Sequence, residues 1–408
     1  MMHQPMKICI LGGGFGGLYS ALYLSRSKAY RSGKFQITLV EQREHFLFTP
    51  LLYELVTQEL KKWEIAPSYQ KLLFQTQINF CQNRVTSVDF EQQSVQLTNG
   101  EALTYDRLVL AAGMQTRWPP IPGLKKQALT FRTLEDVERL LGKLRELESS
   151  ERRYLRLAII GAGPNGVEIA CKLADKLGKR GQVWLLELGD KILTGFSPGL
   201  RRAAYRALGL RRIQVMLKTG VETIDTESLT FSRNGQSQTI PIDLVLWTAG
   251  TEPRSWISAL ACQKSQQGKL LTHSTLQLLD YPNVFALGDV GSIQHSATPV
   301  PATAQVAYQQ AATLAANLQA IVSGDRLKPF RYQHLGDMMT LGDGVGIVSS
   351  FGFNIDGKLG GIIRRIAYIF RMPTPRHRWQ VLKNFFKKLR FSLAKKRREI
   401  GLMTFKAD

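Results

Sequence analysis

Two glycine-rich segments constrain the fold of this chain more than any other feature. Residues 12–17 read GGGFGG and residues 161–166 read GAGPNG, and each follows a short apolar run. In this spacing the first glycine makes a tight turn, the second lets backbone approach a pyrophosphate, and the third lets a helix pack closely on a strand. The phosphates then lie at the helix N-terminus, where unpaired amides favour anions. Two such segments indicate a protein that holds two dinucleotides at once.

Each glycine-rich segment has an acidic partner at the end of the next apolar run. Glu41 follows residues 35–40 and Glu187 follows residues 182–186. A carboxylate at this place accepts hydrogen bonds from a ribose. The alternative, glycines that serve only as turns, is a poor account of the two segments taken together. The two sites therefore consist of Gly12, Gly14, Gly17 and Glu41, and of Gly161, Gly163, Gly166 and Glu187.

Two further segments repeat one another. Residues 105–113 (YDRLVLAAG) and 242–250 (IDLVLWTAG) each combine an acidic residue, a buried parallel strand and a turn of small residues such as Gly113. This repetition indicates that the nucleotide-binding unit occurs twice. A third segment, 283–289 (NVFALGD), places Asp289 at the end of a buried strand. There it can accept a hydrogen bond from a ribityl hydroxyl of a flavin, while Gly288 lets backbone approach the phosphate.

Length and cysteine content narrow the class of protein. A chain of 408 residues is long enough for two or three domains with sizeable cores. Its four cysteines lie far apart in sequence, so we expect neither a disulfide framework nor a CxxC pair nor a metal site, and a reducing, intracellular setting. We expect no signal peptide, because residues 1–7 lead straight into the first strand, and the sequence holds no apolar run of the ~18 residues that a spanning helix needs. The expectation is a protein that is soluble or lies on a membrane surface.

Net charge favours the membrane surface because it is concentrated at the C-terminus. Residues 361–408 hold 14 Lys or Arg against two acidic residues, and so contribute +12 of the total +22. Nucleic-acid binding is the other reading of such charge, but nothing else in the sequence supports it. A stripe of apolar residues at helical spacing in this tail predicts a basic amphipathic helix on a membrane, with packing on the protein itself or on a second subunit as the alternative. The stripe consists of Trp379, Leu382, Phe385, Phe386, Leu389 and Leu393.

These motifs, in this order, resemble type II NAD(P)H:quinone oxidoreductases over nearly the full chain. Residues 247–250 (WTAG), 285–289 (FALGD) and 301–309 (PATAQVAYQ) carry the general resemblance. Residues 335–342 (LGDMMTLG) and 365–374 (RIAYIFRMPT), followed by His377 and Arg378, are similar to the cyanobacterial and plastid branch that reduces demethylphylloquinone and plastoquinone-type acceptors. The resemblance implies a single-subunit, non-proton-pumping FAD enzyme held on the membrane by a C-terminal amphipathic region.

The resemblance also implies a role for each matching residue. Hydride would pass from NAD(P)H to FAD, and the reduced flavin would deliver electrons and protons to a quinone. Glu168, which we expect in the first turn of a helix that points at the flavin, would act near both rings; the alternative is an acid stabilised by the helix dipole. Ala304, Gln305 and Gln309 would line the quinone pocket, although without the resemblance the two glutamines read as solvated helix residues. FAD would bind Gly12, Gly14, Gly17, Glu41, Gly113, Gly288 and Asp289, and NAD(P)H would bind Gly161, Gly163, Gly166 and Glu187.

We therefore predict an α/β fold of the two-dinucleotide, glutathione-reductase-like type, with two Rossmann-like domains and a C-terminal amphipathic helical membrane-binding region. The predicted parts are the FAD domain (1–120 and 261–345, the latter with the quinone-site helix), the NAD(P)H domain (121–260) and the basic tail (346–408). The resemblance places the protein peripherally on a thylakoid or plasma membrane of a cyanobacterium, on the cytoplasmic or stromal face, in phylloquinone biosynthesis or non-pumping electron transport. The sequence leaves open whether the protein forms a homodimer.

The sequence leaves alternatives open for the preferred nicotinamide and for the reaction class. Glu187 would repel the 2′-phosphate of NADPH, whereas the resembled branch is associated with NADPH, and Lys191, Arg201 and Arg202 would have to offset that charge. We expect NAD(P)H, with a lean towards NADPH. A disulfide or sulfide oxidoreductase of the same fold would need a cysteine pair beside the flavin. A non-catalytic dinucleotide-binding protein would tolerate the loss of the second segment or of Asp289.

Overall fold

The computed structural model describes residues 4–150, 152–294 and 300–404, and describes side chains as far as Arg390; the side chain of Leu393 lies outside this part. The strands are β1 (Met6–Leu11), β2 (Phe35–Glu41), β3 (Asn79–Gln82), β4 (Val85–Asp89), β5 (Ser94–Leu97), β6 (Ala102–Thr104), β7 (Arg107–Leu110), β8 (Gln115–Thr116), β9 (Ala128–Thr130), β10 (Leu155–Ile160), β11 (Gly181–Leu186), β12 (Gln214–Met216), β13 (Thr219–Ile224), β14 (Ser228–Arg233), β15 (Gln236–Pro241), β16 (Leu244–Trp247), β17 (Thr251–Glu252), β18 (Leu270–Thr272), β19 (Val284–Ala286), β20 (Gly291–Ile293), β21 (Asp337–Thr340), β22 (Gly346–Ser350) and β23 (Phe353–Asp356).

The helices are α1 (Phe15–Ser25), α2 (Lys28–Arg31), α3 (Lys62–Ile65), α4 (Tyr69–Leu73), α5 (Leu124–Gln127), α6 (Leu134–Glu148), α7 (Pro164–Leu177), α8 (Pro198–Leu210), α9 (Ser255–Ser258), α10 (Ala304–Ser323), α11 (Gly357–Phe370) and α12 (Pro375–Thr404). Short 3-10 helices cover Thr49–Leu55, Gly178–Arg180 and Gly288–Val290.

Two five-stranded parallel sheets form the framework. The first has the order β19-β7-β1-β2-β3 and the second the order β12-β11-β10-β16-β9. Their central strands, β1 and β10, end in buried apolar residues, as strands of a parallel sheet covered on both faces do. The predicted α/β fold with two Rossmann-like units is confirmed. Because β19 lies beside β7, the first sheet uses chain from both sides of the second.

The duplication extends to smaller elements. Each unit carries a three-stranded antiparallel sheet, β4-β5-β6 in the first and β13-β14-β15 in the second. Each also sends a two-residue strand out of its small-residue turn, and these strands pair with one another: Thr116 of β8 lies opposite Thr251 of β17. The turns at Gly113 and Gly250 are therefore held close together, one on each side of the junction between the units.

The C-terminal part is a meander of β21, β22 and β23 followed by two helices. Gly360 in α11 lies so close to the Gly346 and Ile355 carbonyl oxygens that an added Cβ would clash with both. This close approach fixes α11 directly on the meander. The two helices are separated by a short break, since α11 ends at Phe370 and α12 begins at Pro375. Within residues 4–150, 152–294 and 300–404 no helix is long and apolar enough to cross a bilayer.

Three carboxylates from one short stretch of the first unit hold these two helices. Each is buried or nearly so, and each pairs with a basic side chain of α11 or α12. The pairs are Glu54 with Arg364, Glu59 with Arg365, and Glu64 with Lys388. The helices are consequently part of the folded body as far as Lys388.

The apolar stripe of α12 is divided between two environments. Leu382 and Phe385 pack against the main core, and Val381, outside the predicted stripe, is fully buried there. Trp379 and Phe386 remain exposed. The alternative in which the stripe packs on its own protein thus holds for its inner half. Glu64 also accepts a hydrogen bond from Asn384 (2.9 Å), and this contact fixes which side of the helix faces inwards.

Candidate functional site

The two glycine-rich turns have the same geometry. Gly12 and Gly161 have φ angles of +103° and +101°, which side chains rarely adopt. A Cβ at Gly17 or Gly166 would overlap the carbonyl oxygen of the first glycine of its own turn. At Gly14, by contrast, an added Cβ would meet no protein atom within 4 Å, and the same is true at Gly163. In both turns the third glycine packs tightly against backbone, whereas the second glycine faces open space, where the fingerprint places a pyrophosphate.

The acidic partners also occupy matching positions. Glu41 accepts hydrogen bonds from the Gly13 N–H (2.9 Å) and the Arg43 N–H (3.0 Å). Glu187 accepts them from the Ala162 N–H (2.7 Å) and the Gly189 N–H (2.8 Å). Backbone amides therefore fix each carboxylate at the rim of its turn, and the remaining lone pairs can accept ribose hydroxyls.

The basic residues near Glu187 do not form a single cluster with it. Arg201 donates to the Phe196 carbonyl oxygen (3.1 Å), and Arg202 lines a cavity of about 400 Å³ beside the start of α8. Lys191 is exposed. The structure shows no ion pair between Glu187 and any of these three described residues, so the preference between NADH and NADPH stays a prediction.

The other residues expected at the flavin lie around the first turn. Gly113 has φ +61° and open space where a Cβ would be, and Gly288 has φ +72° and donates its N–H to buried Gln310 (2.7 Å). Burial raises the pKa of Asp289, while Arg132 and Lys269 favour its charged form. The donor set and the open turn fit FAD: amides for phosphates and carboxylates for ribose and ribityl hydroxyls.

Glu168 lies between the two units. Its Oε1 accepts the Thr340 N–H of β21 (2.8 Å) and lies 3.6 Å from Nη2 of Arg364. The Tyr53 hydroxyl lies beside this carboxyl and donates to Asn165 in the second glycine-rich segment (2.7 Å). Burial raises the pKa of Glu168 to about 7, although Arg364 and the Thr340 N–H favour the charged form. The carboxyl is therefore close to its midpoint of ionisation at neutral pH.

One expectation about Glu168 was wrong. The helix begins at Pro164, so Glu168 is its fifth residue and lies in the second turn; the first turn of α7 holds no acidic residue. The helix dipole acts mainly on the first turn. The helix dipole therefore does not account for the position of a carboxyl at Glu168. The surroundings of this carboxyl are set instead by its burial against three other elements.

Arg364 is the functional residue that the sequence did not identify. It is buried, its Nη1 donates to Glu54, and its Nη2 donates to the Pro50 carbonyl oxygen (2.7 Å). Burial alone would raise the pKa of Glu54, but Arg364, Lys172 and Arg365 hold it below its usual value. In the sequence Arg364 is one of the 14 Lys or Arg residues of the tail. The available signal was the pair of arginines inside an otherwise apolar run.

The proposed quinone residues begin α10, whose N-cap Thr303 accepts the Val306 N–H (3.2 Å). Ala304 is the first residue of the helix. The Gln305 amide oxygen accepts the Leu335 N–H (3.1 Å) and the Tyr332 hydroxyl (2.8 Å), and Gln309 exchanges two hydrogen bonds with the backbone of Gln333. Both side chains therefore brace the segment that leads into β21, which in turn holds Glu168.

The cysteines bear on the alternative reaction class. All four, Cys9, Cys81, Cys171 and Cys262, lie in the described part of the chain and are free. Burial raises the pKa of the Cys9 and Cys171 thiols to about 12, so neither is a thiolate at neutral pH. Because the thiolate is the reactive form, these two residues are unsuited to disulfide exchange.

Comparison with known proteins agrees with this geometry. Residues 6–311 match the family model of the pyridine nucleotide-disulphide oxidoreductases. The chain is 42% identical over 380 residues to demethylphylloquinone reductase NdbB of Synechocystis, covering 92% of this chain and 94% of that protein. It is 36% identical over 420 residues to the alternative NAD(P)H-ubiquinone oxidoreductase C1, chloroplastic/mitochondrial, of Arabidopsis thaliana, covering 94% and 80%. The solved structure of NDH2 from Plasmodium falciparum with NADH superposes with a TM-score of 0.83 at 19% identity, covering 94% and 98% of the two chains.

A double-variant series tests the buried ion pair. Arg364→Gln should lower the free energy of unfolding by about 3 to 5 kcal/mol, because it leaves the buried Glu54 carboxylate without its cation. Adding Glu54→Gln should restore most of that loss, since an uncharged pair replaces the lone charge. Urea unfolding of the two single variants and the double variant measures the coupling. Additive losses would show that the two side chains do not interact.

Proposed function

The chain belongs to the pyridine nucleotide-disulphide oxidoreductase family and, within it, to the type II NAD(P)H:quinone oxidoreductases, and on that basis we propose that it transfers hydride from NAD(P)H to FAD and two electrons on to a membrane quinone. The observation that carries the proposal is the duplicated turn with its fixed glutamate, which provides two dinucleotide sites. The acceptor is a quinone of the demethylphylloquinone type, as the name of the Synechocystis relative suggests, or of the plastoquinone type, as the resemblance implies.

FAD supplies the redox chemistry when it is bound at the first turn, and the protein supplies orientation and electrostatics. The amides at the start of α1 would bind its pyrophosphate, Glu41 its ribose and Asp289 its ribityl chain. At the second turn the amides of α7 and Glu187 would hold NAD(P)H in the same manner. The paired strands β8 and β17 keep the two small-residue turns adjacent, which brings the two sites together.

Glu168 serves the proton balance of the reaction. Reduction of a quinone consumes protons, and a carboxyl whose pKa lies at about 7 can hold or release one at Oε1 or Oε2 near neutral pH. As the pH rises through this pKa the group loses its proton. Arg364 limits how far burial raises this pKa, because its guanidinium attracts the charged form.

The location and assembly follow from the resemblance and from the charge of the tail. We place the protein peripherally on a thylakoid or plasma membrane of a cyanobacterium, on the cytoplasmic or stromal face, with anionic lipid as the partner of the tail. The proposed pathway is phylloquinone biosynthesis or non-pumping electron transport. The four predicted parts, with boundaries at 120, 260 and 345, belong to the same proposal, and a homodimer is compatible with it.

Rapid-mixing experiments test the reaction and the quinone helix together. NADPH or NADH should bleach the flavin absorbance, and a soluble naphthoquinone should restore it. Gln305→Leu should slow the restoration by about tenfold and leave the bleaching nearly unchanged, because the proposal assigns Gln305 to the quinone step and not to hydride transfer from NAD(P)H. Normal restoration with slowed bleaching would contradict the assignment.

Gln309→Leu changes the second proposed quinone residue, which braces the same segment one turn further along α10, and should also slow flavin reoxidation. Gln319→Leu is the matched control and should reoxidise at the wild-type rate, because Gln319 lies further along α10 and donates to the Ala315 carbonyl oxygen of its own helix. Wild-type reoxidation in both Gln305→Leu and Gln309→Leu would contradict the placement of the quinone at the start of α10. Absence of any flavin reduction in the wild-type protein would refute the proposed function itself.

Glu187 provides a test of cofactor selection. Glu187→Gln should raise the ratio of kcat/KM for NADPH to that for NADH by about tenfold, because the repulsion of the 2′-phosphate disappears along with a ribose acceptor. Glu41→Gln, the corresponding change at the other turn, should weaken FAD retention and leave the ratio unchanged. A ratio that is the same in Glu187→Gln and wild type would show that another residue selects the nicotinamide.

A further inference from the structure

A line of polar side chains connects Gln305, at the start of α10, with the surface of the protein. The Tyr332 hydroxyl donates to the Gln305 amide oxygen (2.8 Å), and Nδ1 of His334 lies 3.1 Å from the oxygen of that hydroxyl. On the other side of the imidazole ring, Nε2 lies 3.6 Å from Oδ2 of Asp337. We call Tyr332, His334 and Asp337 the 332–337 series; a proton can pass between its phenol and its imidazole.

The outer end of the 332–337 series is open to water. The side chain of His334 is 55% exposed, and that of Asp337 is 30% exposed. Both residues line the cavity of about 400 Å³ beside the start of α8. Among the described residues that line this cavity, the titratable ones are Arg202, His334 and Asp337. A proton from solvent can therefore reach the imidazole without crossing the core.

The inner end of the series lies at a residue that we assign to the quinone. The Gln305 amide nitrogen donates one N–H to the Gly336 carbonyl oxygen (3.3 Å), and an amide nitrogen carries a second N–H, which can donate to a quinone oxygen. The Tyr332 hydroxyl contacts the oxygen of the same amide group. A quinone held by Gln305 is consequently a neighbour of the Tyr332 hydroxyl.

The Tyr332 hydroxyl carries a proton at neutral pH. Burial and the Asp337 carboxylate both raise the pKa of this phenol above its ordinary value. Because the hydroxyl proton is directed at Gln305, the hydroxyl oxygen can accept a hydrogen bond from Nδ1–H of His334. In that tautomer of the neutral ring Nε2 is an acceptor, so the ring can take up a proton on one side as it gives one up on the other.

A purely structural role is the alternative reading of these side chains. The segment is, however, held on both sides of Leu335 by other residues. The Leu335 N–H donates to Gln305 (3.1 Å), and the Ser350 hydroxyl donates to the Leu335 carbonyl oxygen (2.9 Å). A contact between an exposed histidine and a partly exposed carboxylate adds little to stability. The fold therefore does not depend on the imidazole of His334.

We propose that Tyr332 is a catalytic proton donor to the quinone, and that His334, oriented by Asp337, is a positioning residue that restores the proton of Tyr332 from the cavity. The inference rests on the proposed function, since it names the source of a proton for the same quinone site. Glu168 contacts the other end of β21, at Thr340, and is not a member of the series.

The proton transfers balance the overall reaction. One hydride from NAD(P)H, passed on through the flavin, and one proton from solvent convert a quinone to a quinol. The Tyr332 O–H bond breaks as a quinone O–H bond forms, and the proton on Nδ1 of His334 passes to the Tyr332 oxygen. Nε2 of His334 takes a proton from water in the cavity. The imidazole and the phenol are neutral before and after the transfer.

Single-turnover reoxidation of the full-length holoenzyme tests the proposal. The flavin is reduced with NAD(P)H and then mixed with a soluble naphthoquinone. Tyr332→Phe and His334→Gln should each slow reoxidation by about tenfold, because phenylalanine has no proton to give and a glutamine amide can bond to Tyr332 without passing a proton on. Added imidazole should restore at least about half of the rate in His334→Ala, since the free base can act in place of the lost ring.

His273→Ala is the matched control, because His273 is also exposed but lies outside the 332–337 series. It should be reoxidised at the wild-type rate with and without imidazole. Unchanged flavin absorbance and unchanged flavin reduction by NAD(P)H in every variant would show that the site is folded. Reoxidation in D2O should be slower than in H2O for the wild type, and this isotope effect should be smaller in Tyr332→Phe.

Three results would overturn the proposal. They are wild-type reoxidation in Tyr332→Phe, a wild-type rate in His334→Gln, and a slowed His334→Ala that imidazole does not restore. The last result would assign His334 a bracing role only. Failure of the wild-type flavin to be reduced by NAD(P)H or reoxidised by the quinone would instead refute the proposed function itself.

Discussion

The ion pair between Arg364 and Glu54 is the interaction on which the arrangement of the site depends. It joins residues 310 positions apart, and it carries the guanidinium to within 3.6 Å of Glu168 on the second unit. Because both side chains are buried, removal of the Arg364 guanidinium would leave the Glu54 carboxylate without a cation and without solvent. Through this pair helix α11, the 3-10 helix of the first unit and helix α7 meet at one point.

A second constraint is the duplication of the nucleotide-binding unit. The same turn, the same fixed glutamate and the same outgoing strand occur in both units, so the two sites face one another across the β8–β17 pair. The third partner, the β21–β23 meander, has no counterpart in the duplication. It reaches Glu168 through Thr340 and is braced from α10 by Gln305 and Gln309. Elements of both nucleotide-binding units and of the C-terminal part thus share one buried carboxyl.

The sequence predicted the parts of this account that depend on local geometry. The turns at Gly12 and Gly161 and the carboxylates of Glu41 and Glu187 follow from spacing within a single strand–turn–helix unit, and the parallel sheets follow from their apolar strands. The resemblance supplied Glu168, but not its place in the second turn, which depends on where Pro164 starts the helix.

Contacts between distant parts of the chain could not be predicted in this way. The pair of arginines inside an apolar run sets Arg364 apart from the other cations of the basic tail, but no local pattern shows that its partner is Glu54. In the same way, the spacing of Gln305 and Gln309 shows that they share a helix face, but not that both amides bind the segment 332–336. The division of the α12 stripe depends on Glu64, more than 300 residues earlier in the chain. Such pairings become visible only when the fold brings the partners together.

The most direct test of the central claim is the pH dependence of the two half-reactions in wild type and in Glu168→Gln. The account predicts that the rate of at least one half-reaction, flavin reduction or flavin reoxidation, has an inflection near pH 7 in the wild type, where the Glu168 carboxyl titrates. The pH profiles of Glu168→Gln should lack this inflection. Rapid mixing with NAD(P)H and then with a soluble quinone, at pH values on both sides of 7, measures both rates. The same inflection in the two proteins would contradict the claim that Glu168 is the shared, ionisable group of the site.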